Sequence, residues 1–408
     1  MYYRSAVVIF TLIAALNAQD KLPLPAALDA ALGAHPEIQA MRSQVDRVRG
    51  ARLQAGLAPN PQLILQTENI RPSTSRSPFS FSQQTDNFVY LQQQFEPGAK
   101  RTRRVDAAQA AIAAMEQDLE STRLGIAARV KDAYWAAAGA QQVLDLLESN
   151  LKTFQQIVEY HEVRVREGAM AESDLLRVRL EADRFELAAN QARLDTQRAR
   201  INLFRAMGQS KFPLVVLSSP MTASDDPLIT PDPVAALDRR PDVLAARANI
   251  EAARAGLRLQ QANARTDYSL YFGYKRTEGF NTMMGGVQYD LPWRNRNQGN
   301  IESASASIRE AEARLAATEA IARAEIEAAH AEYMIRRRQV QDFIERFRQL
   351  ANETSQIAQA AYRLGGADLL RLLDAERLRI EIEILSVQAA AQYRQSQAAL
   401  QSAMGIIQ

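Results

Sequence analysis

The sequence predicts a mainly α-helical chain with a small β part, built from two copies of one unit: helix, strand, strand, long helix, shorter helix. Three observations predict it. First, apolar residues alternate 3 and 4 apart from Val105 through Ala108, Ile112, Met115, Leu119 and Thr122 to Ile126. After one four-residue slip the pattern runs on through Val130, Ala137, Leu144, Leu151, Val158 and Val165, the heptad signature of a coiled coil. Second, the same series of elements appears twice. Third, each half carries two stretches of period-two alternation, the mark of a strand wet on one side.

Taken in order, the chain opens with Arg4, an apolar run from Ala6 to Leu16, and Asn-Ala-Gln-Asp. This reads as a signal peptide over residues 1–18, with a buried first helix as the other reading. The run is too short to span a bilayer. There are no cysteines, and His35, His161 and His330 stand alone, so no standard transition-metal site is expected. A net charge of +2 with 24% charged residues gives no sign of nucleic-acid binding. No nucleophile–base set, phosphate loop or zinc motif is present, so neither an enzyme nor a cofactor is expected.

The first repeat covers residues 22–209 and the second 234–405, joined by a Pro-rich linker over 210–233. Pro36-Glu37-Ile38 answers Pro241-Asp242-Val243, each proline suiting the first turn of a helix. Strands follow at about 61–69 and 87–95, and again at about 267–275 and 283–291. Long helical hairpins are predicted over 99–208 and 298–404. Both returning helices begin with one tetrapeptide, Asp174-Leu175-Leu176-Arg177 and Asp368-Leu369-Leu370-Arg371, and both end in Ala-Met-Gly. Pro97 to Asp174 is 77 positions and Pro292 to Asp368 is 76, so the rods match. The strand-to-strand loop of the first half carries the extra length, in a Ser/Pro/Thr-rich stretch from Ile70 to Asp86.

On the strands, Val89, Leu91 and Phe95 oppose Tyr90, Gln92 and Gln94, and Leu270 and Phe272 oppose Ser269 and Gly273. Lengths near ten residues fit transmembrane β-strands, and they also fit two hairpins on a soluble core. Four strands cannot close a membrane barrel, whose minimum is about 8. If they span a membrane, two chains would give a filled 8-stranded barrel. Three would give a 12-stranded one with a lumen. A rod of ~65 residues is about 100 Å long at the helical rise, and the two shorter helices stacked end to end nearly equal it. That suggests a wall of helical columns continuing the barrel. A free coiled-coil spacer is the other reading.

These residues resemble the TolC-like outer-membrane efflux channels. Leu291-Pro292-Trp293-Arg294-Asn295-Arg296-Asn297-Gln298-Gly299 is similar to the family's turn after the fourth strand. Tyr362-Arg363-Leu364-Gly365-Gly366 and Leu373-Asp374-Ala375-Glu376-Arg377 are similar to its second periplasmic tip. Both segments look most like the cobalt–zinc–cadmium, heavy-metal efflux branch. The resemblance implies a homotrimer in the lipid of the outer membrane, its 12-stranded β-barrel continued by a periplasmic α-helical barrel. It also implies a periplasmic adaptor (membrane fusion) protein and an inner-membrane RND pump as partners. Two departures stand out. Many relatives carry a lipidated cysteine, which this chain lacks. Some carry two tip aspartates in a gate ring, whereas here Asp374 matches one and Arg371 stands at the other.

The expected site is therefore the reversal end of the hairpins. Gly168, Asp174, Arg177, Gly365, Gly366 and Asp368 are the candidates for the tip and adaptor docking, with the glycines supplying left-handed backbone. Asp174 and Asp368 read either as pore carboxylates or as helix N-caps. Arg371 and Asp374, three apart and able to pair on one helix face, are the candidate gate. A periplasmic adaptor or structural coiled-coil protein without a pore is the alternative. Such an adaptor would have one hairpin flanked by β-rich modules.

Overall fold

A computed structural model describes residues 21–71, 80–81, 84–221 and 227–407. The expected signal segment, 1–18, lies outside the described residues, as does part of the Ser/Pro/Thr-rich loop. In chain order the elements are β1 (Lys21–Leu22), α1 (Leu24–Ala34), α2 (Pro36–Ala55), β2 (Gln62–Glu68), β3 (Asp86–Phe95), α3 (Lys100–Arg166) and α4 (Glu172–Ala206). The second half follows with β4 (Val216–Leu217), α5 (Pro233–Arg239), α6 (Pro241–Asn263), β5 (Tyr268–Thr277) and β6 (Phe280–Tyr289). It ends with α7 (Gln298–Arg338), a π-helical segment (Gln339–Ile344), α8 (Glu345–Arg363) and α9 (Leu369–Ala403).

The chain forms two compact units that cut across the sequence halves. One takes the chain up to Gln39, Thr122–Ala236 and Arg323–Gln408; the other takes Ala40–Ser121 and Leu237–Ala322. In the first unit the expected heptad seam of α3 is buried. Leu147, Leu151 and Phe154 pack with Val178 and Phe185 of α4 and with Leu369, Leu373 and Ile380 of α9. The Phe154 and Phe185 ring centroids are 4.6 Å apart. A second cluster joins Ile326 and Tyr333 of α7 to Tyr393 and Leu400 of α9.

Three features depart from the expectations. The second rod is not an unbroken α-helix, because six residues from Gln339 to Ile344 take π geometry. Such a segment bonds i to i+5, widening the helix locally by an extra residue per turn. The linker, expected only as a Pro-rich join between the halves, contributes a strand. β4 pairs in parallel with β1, and the buried Tyr134 hydroxyl of α3 donates to the Leu22 carbonyl at 2.8 Å and accepts from Ser219 N at 3.1 Å. Finally, β6 starts at Phe280, three residues ahead of the expected 283, and ends at Tyr289. The reversal from β5 needs only Glu278 and Gly279, both at positive φ (52° and 87°), a two-residue hairpin turn matched to strand twist.

The second unit holds a four-stranded antiparallel sheet in the order β2-β3-β5-β6, so β2 and β6 are its open edges. Below it α6 packs on α7 through Val243 and Ala322, beside Leu237 of α5. No helix among the described residues is long and apolar enough to cross a membrane.

Candidate functional site: the hairpin ends and the sheet

Both hairpins of the first unit reverse through a left-handed glycine, at φ +73° for Gly168 and +74° for Gly365. Each closes its helix with two bonds: Gly168 N to Val165 O and Ala169 N to Arg164 O, then Gly365 N to Tyr362 O and Gly366 N to Ala361 O, at 2.8–3.1 Å. These satisfy carbonyls that a helix end otherwise leaves unpaired. Gly366 has no positive φ, and a Cβ there would meet only the Ala361 carbonyl at 3.6 Å. The left-handed requirement therefore falls on Gly168 and Gly365 alone.

The twin tetrapeptides start their helices differently. Asp368 is the N-cap of α9, its carboxylate accepting from Arg371 N at 3.0 Å. Asp174 is not a cap, because α4 begins two residues earlier at Glu172, after Ala171. It sits in the first turn instead, where a negative charge suits the helix dipole, and it approaches Arg177 at 3.8 Å. Arg371 and Asp374 are both exposed on α9. They do not pair as their spacing suggested: among the described residues no ion pair joins them. The charge of Asp374 acts on Arg377 instead, which also bonds Glu381 at 3.0 Å.

Sequence reasoning missed a polar cluster behind these positions. The Glu376 carboxylate accepts from Ser355 Oγ at 2.6 Å, from Gln359 Nε2 at 2.5 Å and from Arg379 Nε at 3.0 Å. Arg379 also donates to Glu383 at 2.7 Å and to Asn150 of α3 at 3.1 Å. Burial pushes the Glu376 carboxyl up, but its three donors outweigh that and hold it below its ordinary value. The signal was available: Ile344, Ala351 and Ser355 fall at heptad spacing, which puts a serine on a buried seam. His161, 3% exposed, adds a second link. Its Nδ1 lies 2.7 Å from the Ile157 carbonyl, and its Nε2 lies 3.4 Å from the hydroxyl of Tyr362, whose pKa burial raises.

In the second unit the strand register sets which side chains share a face, one of them largely apolar apart from Gln93 and Arg276. Leu65, Val89, Tyr274 and Met283 lie in one row across the sheet, and Leu63, Leu91 and Phe272 in the next. These side chains are exposed, Leu65 by 70% and Phe272 by 63%. Phe95, Tyr268 and Tyr289 form an aromatic row at one end, with Phe95 and Tyr268 stacked at 5.5 Å. The opposite face is mixed: Gln62, Gln92 and Tyr271 form one row, Ile64, Tyr90, Gly273 and Met284 the next, and Gln66, Phe88 and Lys275 the third. The aromatic end is tied to the rod by Lys100 and Asp267 at 2.6 Å and by Arg104 and Glu96 at 2.5 Å. A contiguous apolar face of this size on a sheet with open edges needs a cover other than water. Among the described residues no group of three or more His, Asp or Glu side chains clusters as a metal site.

Comparison with known proteins gives the same architecture. The chain is 26% identical over 290 residues to the cobalt-zinc-cadmium resistance protein CzcC of Cupriavidus metallidurans, an alignment covering 71% of this chain and 67% of that protein. Its fold is similar to the open-state outer membrane channel MtrE of Neisseria gonorrhoeae, with TM-score 0.76, 18% identity, and coverage of 94% of this chain and 89% of that one. It is also similar to the outer membrane protein VceC of Vibrio cholerae, with TM-score 0.71, 22% identity, and coverage of 94% and 96%. The sequence model of one family matches twice, over residues 27–209 and 233–406, and on that match the chain belongs to the outer membrane efflux protein family.

Proposed function

We propose that three copies of this chain join their sheets edge to edge into a 12-stranded barrel in the outer membrane, and that the helices continue it as a duct through the periplasm. The observation that carries this reading is the four-stranded sheet with two open edges, one largely apolar face and an opposite, mixed face that bears the glutamines Gln62, Gln66, Gln92 and Gln94. Four strands are half the smallest membrane barrel, whereas 12 leave a lumen. The apolar face then meets lipid, the aromatic row sits at an interface, and the glutamines line water.

The duct is passive and does no chemistry. Its partners are a periplasmic adaptor, docked at the reversals formed by Gly168, Asp174, Arg177, Gly365, Gly366 and Asp368, and an inner-membrane pump of the RND type. The similarity to CzcC supports divalent heavy-metal cations as the cargo that the pump delivers. Arg371 and Asp374, exposed and free of each other, remain the gate candidates, because across a three-fold axis each can meet charges of the other copies. The alternative, an adaptor or a coiled-coil spacer without a pore, leaves the apolar sheet face unexplained.

The test is fractionation of cells expressing the chain. Heat-modifiable, detergent-resistant trimers in the outer membrane are expected, with loss of cobalt, zinc and cadmium tolerance when the chain is deleted. A soluble periplasmic monomer overturns the reading.

A further inference from the structure

The aromatic end of the sheet, where strands run into the long helices, carries more positive charge than its ion pairs use. Its two strand-to-helix junctions differ in length. Pro97 precedes the left-handed Ala99 (φ 59°) by two positions, and Pro292 precedes the left-handed Asn297 (φ 60°) by five. The longer junction makes room for Trp293, Arg294 and Arg296, all exposed, Trp293 by 78%. Asn297 Nδ2 bonds this junction to α6, donating to the carbonyl and side-chain oxygens of Gln260 at 2.8 and 2.9 Å. Two more arginines stand at the same level. Arg265 comes two residues before Asp267, and its side chain lies across Gly98, where a Cβ would collide with it. Arg101 follows Lys100, whose ammonium donates to Asp267 at 2.6 Å.

The acids nearest these arginines are mostly engaged. Glu96 accepts from Arg104, and Asp267 accepts from Lys100 and from Gln94. That leaves Asp290 against Arg101, Arg265, Arg294 and Arg296, all four exposed. Among the described residues no carboxylate pairs with any of the four. Arg296 spends one N–H on the Pro292 carbonyl at 3.3 Å. We propose that these four arginines, with Trp293, form a collar that binds the phosphate headgroups of anionic phospholipid in the periplasmic leaflet of the outer membrane. This rests on the barrel reading and adds to it a lipid chemistry that the sheet alone does not specify.

Three observations favour this occupant. The first is charge: a guanidinium presents a planar fork of donors that matches phosphate, and basic groups gathered beside a membrane surface favour anionic lipid. The second is the company the arginines keep. Leu291, 63% exposed, and Trp293 extend the chain beyond the Phe95, Tyr268 and Tyr289 row. A soluble anion has no use for exposed apolar side chains, whereas at the headgroup level aromatic rings sit half in lipid and half in water. The third is position. This end of the sheet continues into the helices, so in the barrel it faces the periplasm, where the leaflet is phospholipid rather than lipopolysaccharide.

The test reconstitutes the full chain in vesicles of equal parts phosphatidylethanolamine and phosphatidylglycerol, re-extracts it in mild detergent, and measures the retained phospholipid by mass spectrometry. Wild-type trimers are expected to retain phosphatidylglycerol above its share of the vesicle, and less of it as salt is raised. Arg294→Gln with Arg296→Gln, and separately Arg101→Gln with Arg265→Gln, should lower that enrichment by about fivefold per arginine. Arg294→Lys with Arg296→Lys should keep most of it. Wild-type trimers without enrichment, or with enrichment that salt leaves unchanged, overturn the collar and leave the duct reading standing. So do glutamine variants that retain as much phosphatidylglycerol as wild type. Glutamine variants whose trimers fall apart equally in phosphatidylethanolamine alone would assign the arginines to contacts between copies. Preference for lipid A offered in place of phosphatidylglycerol would assign them to the other leaflet, and either result overturns the proposal. Wild-type protein that inserts into neither vesicle overturns the barrel reading as well.

Discussion

At the scale of single residues, the hairpin end depends on a few groups whose roles differ from what their sequence positions suggest. Glu376 is the most consequential. Its side chain is only 13% exposed and that of its Arg379 partner 22%, so the pair is largely withdrawn from water. Its pKa in the folded chain lies below the ordinary 4.5. The stability it contributes is therefore fully present above pH 4.5 and is lost as pH falls from there through the folded value. Glu376→Gln is expected to cost about 1–2 kcal/mol at pH 7. The gap between variant and wild type should close on acidification below pH 4.5. Hydrogen exchange of α8 and α9 followed against pH checks this, and a gap that does not change with pH refutes it. Arg371 and Asp374 make a different case. Because neither is neutralised by the other, each should act on permeating ions directly. Single-channel conductance of trimers carrying Arg371→Ala or Asp374→Ala should differ from wild type, and unchanged conductance in both removes them as the gate. These distinctions were only partly legible in sequence. The Asp-Leu-Leu-Arg tetrapeptide occurs twice, yet only Asp368 caps a helix. The two preceding residues decide where the helix starts, and Ala-Glu before Ser173 extends α4 backward. The Glu376 cluster was legible only to someone asking why Ser355 stands on an apolar seam.

At the scale of elements, what is local was readable and what is pairwise was not. The α3 heptads, the prolines opening α2 and α6, and the strand alternation are short-range patterns, and the structure follows them. The parallel pairing of β1 with β4 joins Lys21 to Val216, a partnership that nothing near either residue announces. The π-helical segment is equally silent, because Gln339–Ile344 holds no proline or glycine to mark a change of helix type. The strands carry the sharpest expectation. Phe272 lies in the row of Leu63 and Leu91 on the apolar face, whereas Gln92 lies opposite Tyr271 on the other. Phe272→Arg should disfavour insertion by about 2–4 kcal/mol near the bilayer midplane, while Gln92→Arg should insert normally. Recovery of heat-modifiable trimers from the outer membrane distinguishes them, and equal recovery would mean that the apolar face does not meet lipid.

At the scale of the whole molecule, a conduit of this kind selects little by itself. The sheet face assigned to the lumen presents Gln62, Gln92 and Tyr271 in one row, with Gln66 and Lys275 nearby. Neutral amide oxygens are weak ligands for cobalt, zinc or cadmium beside the imidazole and thiolate groups those ions favour. A duct that bound its cargo tightly would also retain it, since conduction requires weak, short-lived contacts. If the proposed pump delivers metal cations, discrimination among cargoes is expected at the pump, and the channel should be indifferent to which metal passes. Purified trimers in planar bilayers are expected to conduct potassium chloride with no change on addition of micromolar zinc, cobalt or cadmium from either side. Block in that range by one metal and not the others would place a binding site in the duct and return part of the selectivity to this chain.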